Sequence, residues 1–325
     1  MDMGNLLRIL TGSLIIRLVH YPWRVSEKLL RKQFPMKGHY YIMKIFRALG
    51  PSFPVTISYL NPLAKDRHTI KLRLDLCENS QLWYFREKGG YELDWIKLIG
   101  LAMDDAEMFI DVGANIGIFA ITIAQAFPLR EVVAIEPLPA NYLKLEESVR
   151  LNRLPNIRPI RAAVTETEGP VRFYVNPIHD GGGSIIESKE YRTGDVRIDA
   201  AKYQESQPQF TPVLEVAGLR LDDIITSKCV LKIDVEGAEV SVLKSAVNSL
   251  KSGLVDLLVV EVTKDSIGEV IGLLDKAGFD CFIHGQRSPI TEVSQFNRRI
   301  WNIFCLRRHS HLYNSIPTRL VARKV

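Results

Sequence analysis

The chain has 325 residues, 46% of them hydrophobic and 24% charged, with a formal net charge of +5. That composition is ordinary for a soluble globular protein, and the length lets it bury a sizeable core as one large domain or two. The four cysteines, Cys77, Cys229, Cys281 and Cys305, are scattered with no C-x-x-C pair, which argues against a zinc site and a disulfide framework and fits a reducing cytoplasm.

Charge is uneven along the chain: +7 over residues 1–50, +7 over residues 287–325, and −9 between them. Basic ends around an acidic middle suit a membrane surface, an anionic substrate or a nucleic acid, and equally the solvated charge of terminal helices. Residues 1–50 read as a basic helical N-terminal extension that closes at Gly50-Pro51. Its apolar run Leu6–Val19 is too short to span a bilayer and is interrupted by Arg8 and Arg17. No small-residue cleavage site follows, so a secretory signal is not expected. Asp2 in place of glycine excludes N-myristoylation. Leu7, Leu10, Leu14 and Leu18 stand at helical spacing. Such a helix could pack on its own domain, pair with a second copy, or lie on a membrane.

Residues 51–107 form a lead-in with strand patterns at Val55–Tyr59 and Ile70–Leu74, a break at Gly89-Gly90, and a helix over Tyr91–Ala102. From 108 to 286 strands and helices alternate, which predicts a mostly parallel sheet with right-handed crossovers. Strands are expected at 108–112, 132–136, 158–164, 229–234, 255–262 and 279–283, and helices at 117–127, 139–152, 236–250 and 264–277. The alternation stops over 165–228, an insertion with an extra strand at Val171–Val175 and three glycines, Gly181–Gly183. Long loops on the ligand side of such a sheet are usually lids. Residues 287–325 read as a basic C-terminal extension.

The most informative stretch is Phe109-Ile110-Asp111-Val112-Gly113-Ala114-Asn115-Ile116-Gly117, a strand that runs through a glycine turn into a helix. Open α/β sheets cradle nucleotide-like ligands this way. A dinucleotide turn would read G-x-G-x-x-G, and its middle glycine is missing here. Asp111 would repel phosphates but attract a sulfonium and an amino group. The pattern D-x-G-x-N-x-G therefore suits S-adenosylmethionine (SAM) better than NAD. Glu136 ends the second strand 25 residues after Asp111, about where an acidic side chain reaches ribose hydroxyls.

A second motif is Val230-Leu231-Lys232-Ile233-Asp234-Val235-Glu236-Gly237-Ala238-Glu239. Glu236 and Glu239 open a helix, where the macrodipole alone accounts for acidic residues. Asp234 stands at the carboxyl tip of a strand expected beside the first, where these sheets bind ligands. Together with Ile135-Glu136-Pro137, Ala162-Ala163-Val164 and Gly183-Ser184, the two motifs resemble the FkbM family of SAM-dependent methyltransferases, from about Tyr91 to Val262. The resemblance implies a Rossmann-like class I methyltransferase fold with a doubly wound, mostly parallel sheet. It also implies methyl transfer from SAM to a hydroxyl of a glycan, glycolipid or natural product. Residues 1–80 and 290–325 fall outside it.

By the resemblance, Asp111, Gly113, Asn115 and Gly117 would hold the methionine end of SAM, and Glu136 the ribose diol. Asn141 and Asn152 stand where side chains approach the cofactor, although Asn152 also suits a helix C-terminal cap. Ala163 would flank the adenine, and Ser184 would meet substrate from a glycine-loosened lid. An alcohol is a poor nucleophile at neutral pH, so a base helps. Asp234 or Glu236 is expected to be that base or to bind an acceptor hydroxyl, with His179 and His284 in reserve. No further ligand stands at metal-binding spacing near the acidic tip, so no metal is expected.

The rival reading is a nucleic-acid binder or modifier that uses the basic ends. Base-modifying methyltransferases usually carry an Asn/Asp-Pro-Pro-aromatic turn at the fourth strand tip. Here Asp234-Val235-Glu236-Gly237 offers two negative charges and nothing to stack a base, and acids oppose a phosphate backbone. Asn176-Pro177-Ile178-His179 resembles such a turn only superficially, because it precedes the strand. A silent scaffold is disfavoured by the intact set of Asp111, Glu136 and Asp234. The expected partner is a small-molecule or lipid-linked sugar acceptor met in the cytoplasm, with peripheral membrane contact through residues 1–32 if that helix lies on anionic lipid.

Overall fold

A computed structural model describes residues 52–316 apart from 53, 65, 67, 76, 79–80, 82–91, 178–181, 188–189, 194–195, 207–212, 287, 297–299 and 314. The basic segment 1–50, with its expected helix and membrane contact, and His179 lie outside the described residues.

A hairpin of β1 (Pro54–Leu60) and β2 (Thr69–Asp75) is followed by α1 (Leu93–Ala102). Next come β3 (Met108–Val112), α2 (Ile118–Ala126), β4 (Glu131–Ile135), α3 (Pro139–Asn152) and β5 (Ile157–Ile160). The insertion holds β6 (Ala163–Val164), β7 (Gly169–Val175), β8 (Gly183–Ser184), β9 (Glu190–Thr193), β10 (Val196–Asp199), α4 (Ala200–Ser206) and β11 (Val213–Leu219). The chain returns through β12 (Cys229–Ile233), α5 (Glu239–Ser245), α6 (Val247–Ser252), β13 (Val255–Thr263), α7 (Ile267–Lys276), β14 (Phe279–Ile283) and β15 (Ile300–Arg307).

Seven strands build the central sheet in the order β14-β15-β13-β12-β3-β4-β5. The run from β13 to β5 is parallel, whereas β15 is antiparallel to both of its neighbours. This is the Rossmann-like sheet that the alternating pattern predicts. Every residue of β3 and β12 is buried, as expected when helices cover both faces of a parallel sheet. Alternate residues supply the two cores. Phe109, Val230, Val259 and Phe304 pack under α1, α2 and β2. Ile110, Leu231, Val260 and Ile303 pack under α5, α6 and α7. The chain order reverses between β3 and β12, so a crevice opens at their carboxyl ends.

The hairpin clamps the back of α2 and α3. Asn61 Nδ2 donates to the Thr122 carbonyl at 3.0 Å, and Arg73 N donates to Ser148 Oγ at 2.9 Å.

Three expectations change. The strand expected at 158–164 is two pieces: β5 stays in the large sheet, while β6 pairs with β11 in a four-stranded sheet of order β6-β11-β7-β8. The helix expected at 236–250 begins at Glu239 and breaks at Ala246. Asp222 imposes the break by accepting from Asn248 N at 3.2 Å and Ser249 N at 2.8 Å, which caps a second helix. Most consequentially, the core does not end at 286. Strand β15, drawn from the basic C-terminal segment, lies between β13 and β14. Arg307 Nε then donates to the Val255 carbonyl at 2.9 Å, and Arg308 Nε to Asp280 at 2.7 Å.

Removing β15 would strip two ladders from the sheet and leave β14 without a neighbour. A chain truncated after residue 286 is expected to lose cooperative thermal unfolding, measured by circular dichroism. A truncated chain that melts like the full one would place β15 outside the cooperative core.

Candidate active site

The turn after β3 owes its shape to close approach. Gly113 has φ +78°, and a Cβ there would stand 1.8 Å from the Asp234 carbonyl oxygen, so only glycine lets the tips of β3 and β12 meet. Gly117 has φ +93°, and a Cβ would strike Leu145 at 2.5 Å. Asn115 adopts the left-handed region at φ 52°. The Gly113 and Ala114 amides both donate to the Ile135 carbonyl at 3.0 Å, which ties the turn to β4.

Glu136, buried at the tip of β4, closes over this turn. Its carboxylate accepts from Asn115 N at 2.8 Å and from Leu138 N at 3.0 Å. Burial outweighs both amides and pushes the carboxyl up to about 7.

Asp111 is fully buried. Its Oδ2 accepts from Ala120 N at 3.2 Å, in the first turn of α2, where the capping residue Gly117 has no side chain to do so. Its Oδ1 lies 3.3 Å from Lys232 Nζ. Burial pulls the Asp111 carboxyl upward, while the ammonium and the amide work against it. Lys232 also stands 3.2 Å from Asp234 and 4.9 Å over the Phe119 ring. Burial disfavours its charge, but the two carboxylates prevail and hold it above the ordinary lysine value.

Beside Lys232 the crevice is acidic. Glu236 is exposed in the left-handed region at φ 54°. Surrounding protein desolvates it nonetheless, and with the charges of Asp234 and Glu239 this pushes its carboxyl up to about 7. Glu261 on β13 is shifted upward by burial and by the charges of Asp234, Glu236 and Glu92. The insertion touches this edge: Ser184 Oγ donates to the Val235 carbonyl at 3.4 Å. A Cβ on Gly183 would lie 2.3 Å from the Phe173 ring, so the end of the glycine run packs closely.

The structure thus gathers Asp111, Gly113, Asn115, Gly117 and Glu136 at one turn, with Asp234 and Glu236 alongside. Asn141 is buried in the first turn of α3. Ala163 pairs with Gly218 and packs with Leu138 and Phe173. Asn152 is not part of this group. It ends α3 at the far side of the domain, and its amide is taken by both main-chain groups of Lys71 and by the Ser148 carbonyl. Its work is to hold β2. His284 follows β14 and meets Trp95 edge-on at 5.3 Å. Sequence reasoning missed Lys232 and Glu261. The available signal was a charge that interrupts the apolar runs Cys229–Ile233 and Leu257–Val262.

The turn fits SAM. Asn115 Oδ1 is buried without a hydrogen-bond partner, as a group awaiting a donor would be. The Glu136 carboxylate has acceptor capacity beyond its two amides. The family model for the methyltransferase FkbM domain matches residues 111–281. The chain belongs to the FkbM methyltransferase family. This methyltransferase therefore has the class I fold and uses SAM as its cofactor.

It is 25% identical over 189 residues to methyltransferase sdnD of Sordaria araneosa, covering 53% of this chain and 73% of that one. It is 26% identical to the hexuronic acid methyltransferase AglP of Haloferax volcanii, over 62% of this chain and 74% of the relative. Identity is again 26% to the 31-O-demethyl-FK506 methyltransferase FkbM of Streptomyces tacrolimicus, over 62% and 83%. Among the described residues no helix is long and apolar enough to cross a membrane, and no group of three His, Cys, Asp or Glu side chains is placed to hold a metal.

Two substitutions probe the frame. Gly113→Ala drives a methyl into the Asp234 carbonyl and should cost more than ~3 kcal/mol. Lys232→Met leaves Asp111 buried without its cation and should cost about 3–5 kcal/mol. Denaturant unfolding measures both, and a loss below ~1 kcal/mol in either would contradict the packing described.

Proposed function

We propose that this methyltransferase transfers the methyl group of SAM to a hydroxyl of a sugar or natural-product acceptor, with Glu236 as the base. The observation that carries this reading is the pair of carboxylates, Asp234 and Glu236, that follows β12 beside the glycine turn. Asp234 is 3.2 Å from Lys232, so it suits holding an acceptor hydroxyl. Glu236, with its carboxyl near 7, matches the operating range of a general base. Two relatives, named for a hexuronic acid and for the 31-O position of demethyl-FK506, support an oxygen acceptor.

When bound, SAM supplies the activated methyl and the leaving group. The turn at Gly113, Asn115 and Gly117 holds its methionine end, and Glu136 takes the ribose diol. Asn141 and Ala163 border the cofactor, and Asp111 acts indirectly by fixing the turn. Glu236 accepts the proton of the acceptor hydroxyl, while Asp234 orients the acceptor. Ser184 and its strand cover the same edge. Two carboxylates at the strand tip disfavour a nucleic acid, whose phosphates they would repel.

Glu236→Gln should lower kcat by ~10²-fold or more while SAM affinity holds within about twofold. Asp234→Asn should act mainly on the acceptor KM. A base works ionised, so kcat of the parent enzyme should fall as pH drops below about 7 and level off above it. Full turnover by Glu236→Gln would remove the assigned base.

Calorimetry separates the cofactor from this chemistry. The ribose hydroxyls need an ionised acceptor at Glu136, whose carboxyl lies near 7. SAM affinity should therefore weaken as pH falls from 8 to 6, by up to about tenfold per unit below 7, and Glu136→Gln should flatten that dependence. A flat profile in the parent would detach Glu136 from the cofactor.

A further inference from the structure

We infer that Glu239 is a positioning residue for Glu236: its buried carboxyl holds the Gly237 amide and so fixes the turn that presents the base. This rests on the reading of Glu236 as the base and adds the residue that sets where it stands.

The backbone is strained where it carries Glu236. The Ala238 amide donates to the Val235 carbonyl at 3.4 Å, which closes a four-residue turn around Glu236 and Gly237. Both central residues have positive φ, 54° at Glu236 and 103° at Gly237. Turns of that kind draw on glycine, asparagine and aspartate, so a glutamate stands here against its own preference. A residue keeps such a backbone only where its surroundings over-determine it.

Glu239 supplies that restraint. Its Oε1 accepts from Gly237 N at 2.7 Å. The other bonds that hold this segment are longer: Asp234 N to the Val112 carbonyl at 3.0 Å, and Ser184 Oγ to the Val235 carbonyl at 3.4 Å. The Gly237 N–H lies in the peptide plane that joins it to Glu236, so holding it limits rotation of the Glu236 backbone. The support behind it is stiff. Glu239 is 1% exposed and opens α5, whose Val242 and Leu243 are buried in the core. A carboxylate, a carboxylic acid and a side-chain amide each accept from an N–H, so the bond does not depend on the charge of Glu239. Among the described residues a Cβ on Gly237 would meet nothing within 4 Å, so no packed neighbour confines the turn at that point.

Loosening the turn changes Glu236 measurably. Desolvation is the main cause of its raised carboxyl, followed by the charges of Asp234 and Glu239, and Glu261 on β13 shares the same field. Released from its held position, the carboxyl gains water and falls toward the ordinary glutamate range.

The test uses the full chain with SAM, carrying a carbon-13 label at its glutamate carboxyls, and Glu236→Gln identifies the Glu236 signal. Glu236 should titrate near 7 in the parent. Glu239→Ala should lower that midpoint by about one unit or more, whereas Glu239→Gln, which keeps the acceptor oxygen and drops the charge, should lower it less. S-adenosylhomocysteine release from methyl gluco-, galacto- and mannopyranosides reports turnover. It should fall about tenfold or more in Glu239→Ala while SAM affinity holds within about twofold, and Glu239→Gln should recover most of that loss. Added to Glu236→Gln, Glu239→Ala should cost little more, because it acts through a residue already removed. Melting temperature shows that each variant is folded. If Glu239→Ala does not fold, Gly237→Ala takes its place, since it disturbs the same turn without a clash. A folded variant that leaves the Glu236 midpoint in place overturns the inference, as does a Glu239→Gln that lowers it as far as alanine does. Full turnover by Glu236→Gln removes the base and the inference with it. No reaction of any pyranoside removes the sugar reading alone, and the titration still decides whether Glu239 holds Glu236.

Discussion

One buried ammonium organises the crevice. Lys232 sits on β12 directly opposite Asp111 of β3, and its Nζ lies within 3.3 Å of that carboxylate and 3.2 Å of Asp234. Burying such a charge is expensive unless it is paired. Here two carboxylates and the Phe119 ring surround it, and both aspartates are anchored a second time. Asp111 holds the first turn of α2 through Ala120. The Asp234 main chain donates to the Val112 carbonyl at 3.0 Å, and its own carbonyl is the surface against which Gly113 turns. The two strand tips at the topological switch point are thereby fixed, along with the helix N-terminus between them. The geometry of the glycine turn is a consequence of that knot.

The knot also divides the crevice. On the β4 side, Glu136 is fastened by two amides over the turn, leaving Asn115 Oδ1 as the open polar atom. On the β13 side lie Glu236 and Glu261, whose carboxyls are raised by desolvation and by neighbouring negative charge. One half is fixed by main-chain donors, and the other gathers carboxyls held against their ionisation. That is the separation a group-transfer enzyme requires, because positioning and basicity make opposite demands on a carboxylate.

The elements that form this frame were mostly legible in the sequence, because parallel strands covered on both faces read as apolar runs between helices. The residues at the tips were visible as breaks in those runs. What a tip residue does was less visible. Asp111 looks like a ligand group in one dimension, yet in the fold it is fully buried and caps α2. Asn152 stands at a suitable sequence distance from Glu136, but α3 carries it to the other end of the domain. Strand β15 escaped notice because it enters the sheet out of order and antiparallel, so the βαβ rhythm does not announce it. Its flanking arginines made an apolar core strand look like the start of a basic tail. The break at Ala246 depended on Asp222, a partner distant in sequence.

The acidic half of the crevice carries a thermodynamic cost that locates its purpose. A carboxyl whose folded value is raised from the ordinary range to about 7, as at Glu136 and Glu236, takes up a proton on folding in the pH range between the two values. The cost to folding is therefore relieved in acid, and it is fully present above about 7. Replacing Glu236 with a neutral residue would remove its share of that cost. Structural carboxylates in this chain behave in the opposite way: Asp222 and Asp280, hydrogen-bonded to amides or an arginine, are lowered. Asp222 and Asp280 are thus stabilised as anions, whereas Glu136, Glu236 and Glu261 at the crevice are held against their ionisation. The difference matches the expectation that perturbed carboxyls gather where chemistry is done. The two apolar cores on either side of the sheet supply the stability that lets the crevice remain unfavourable.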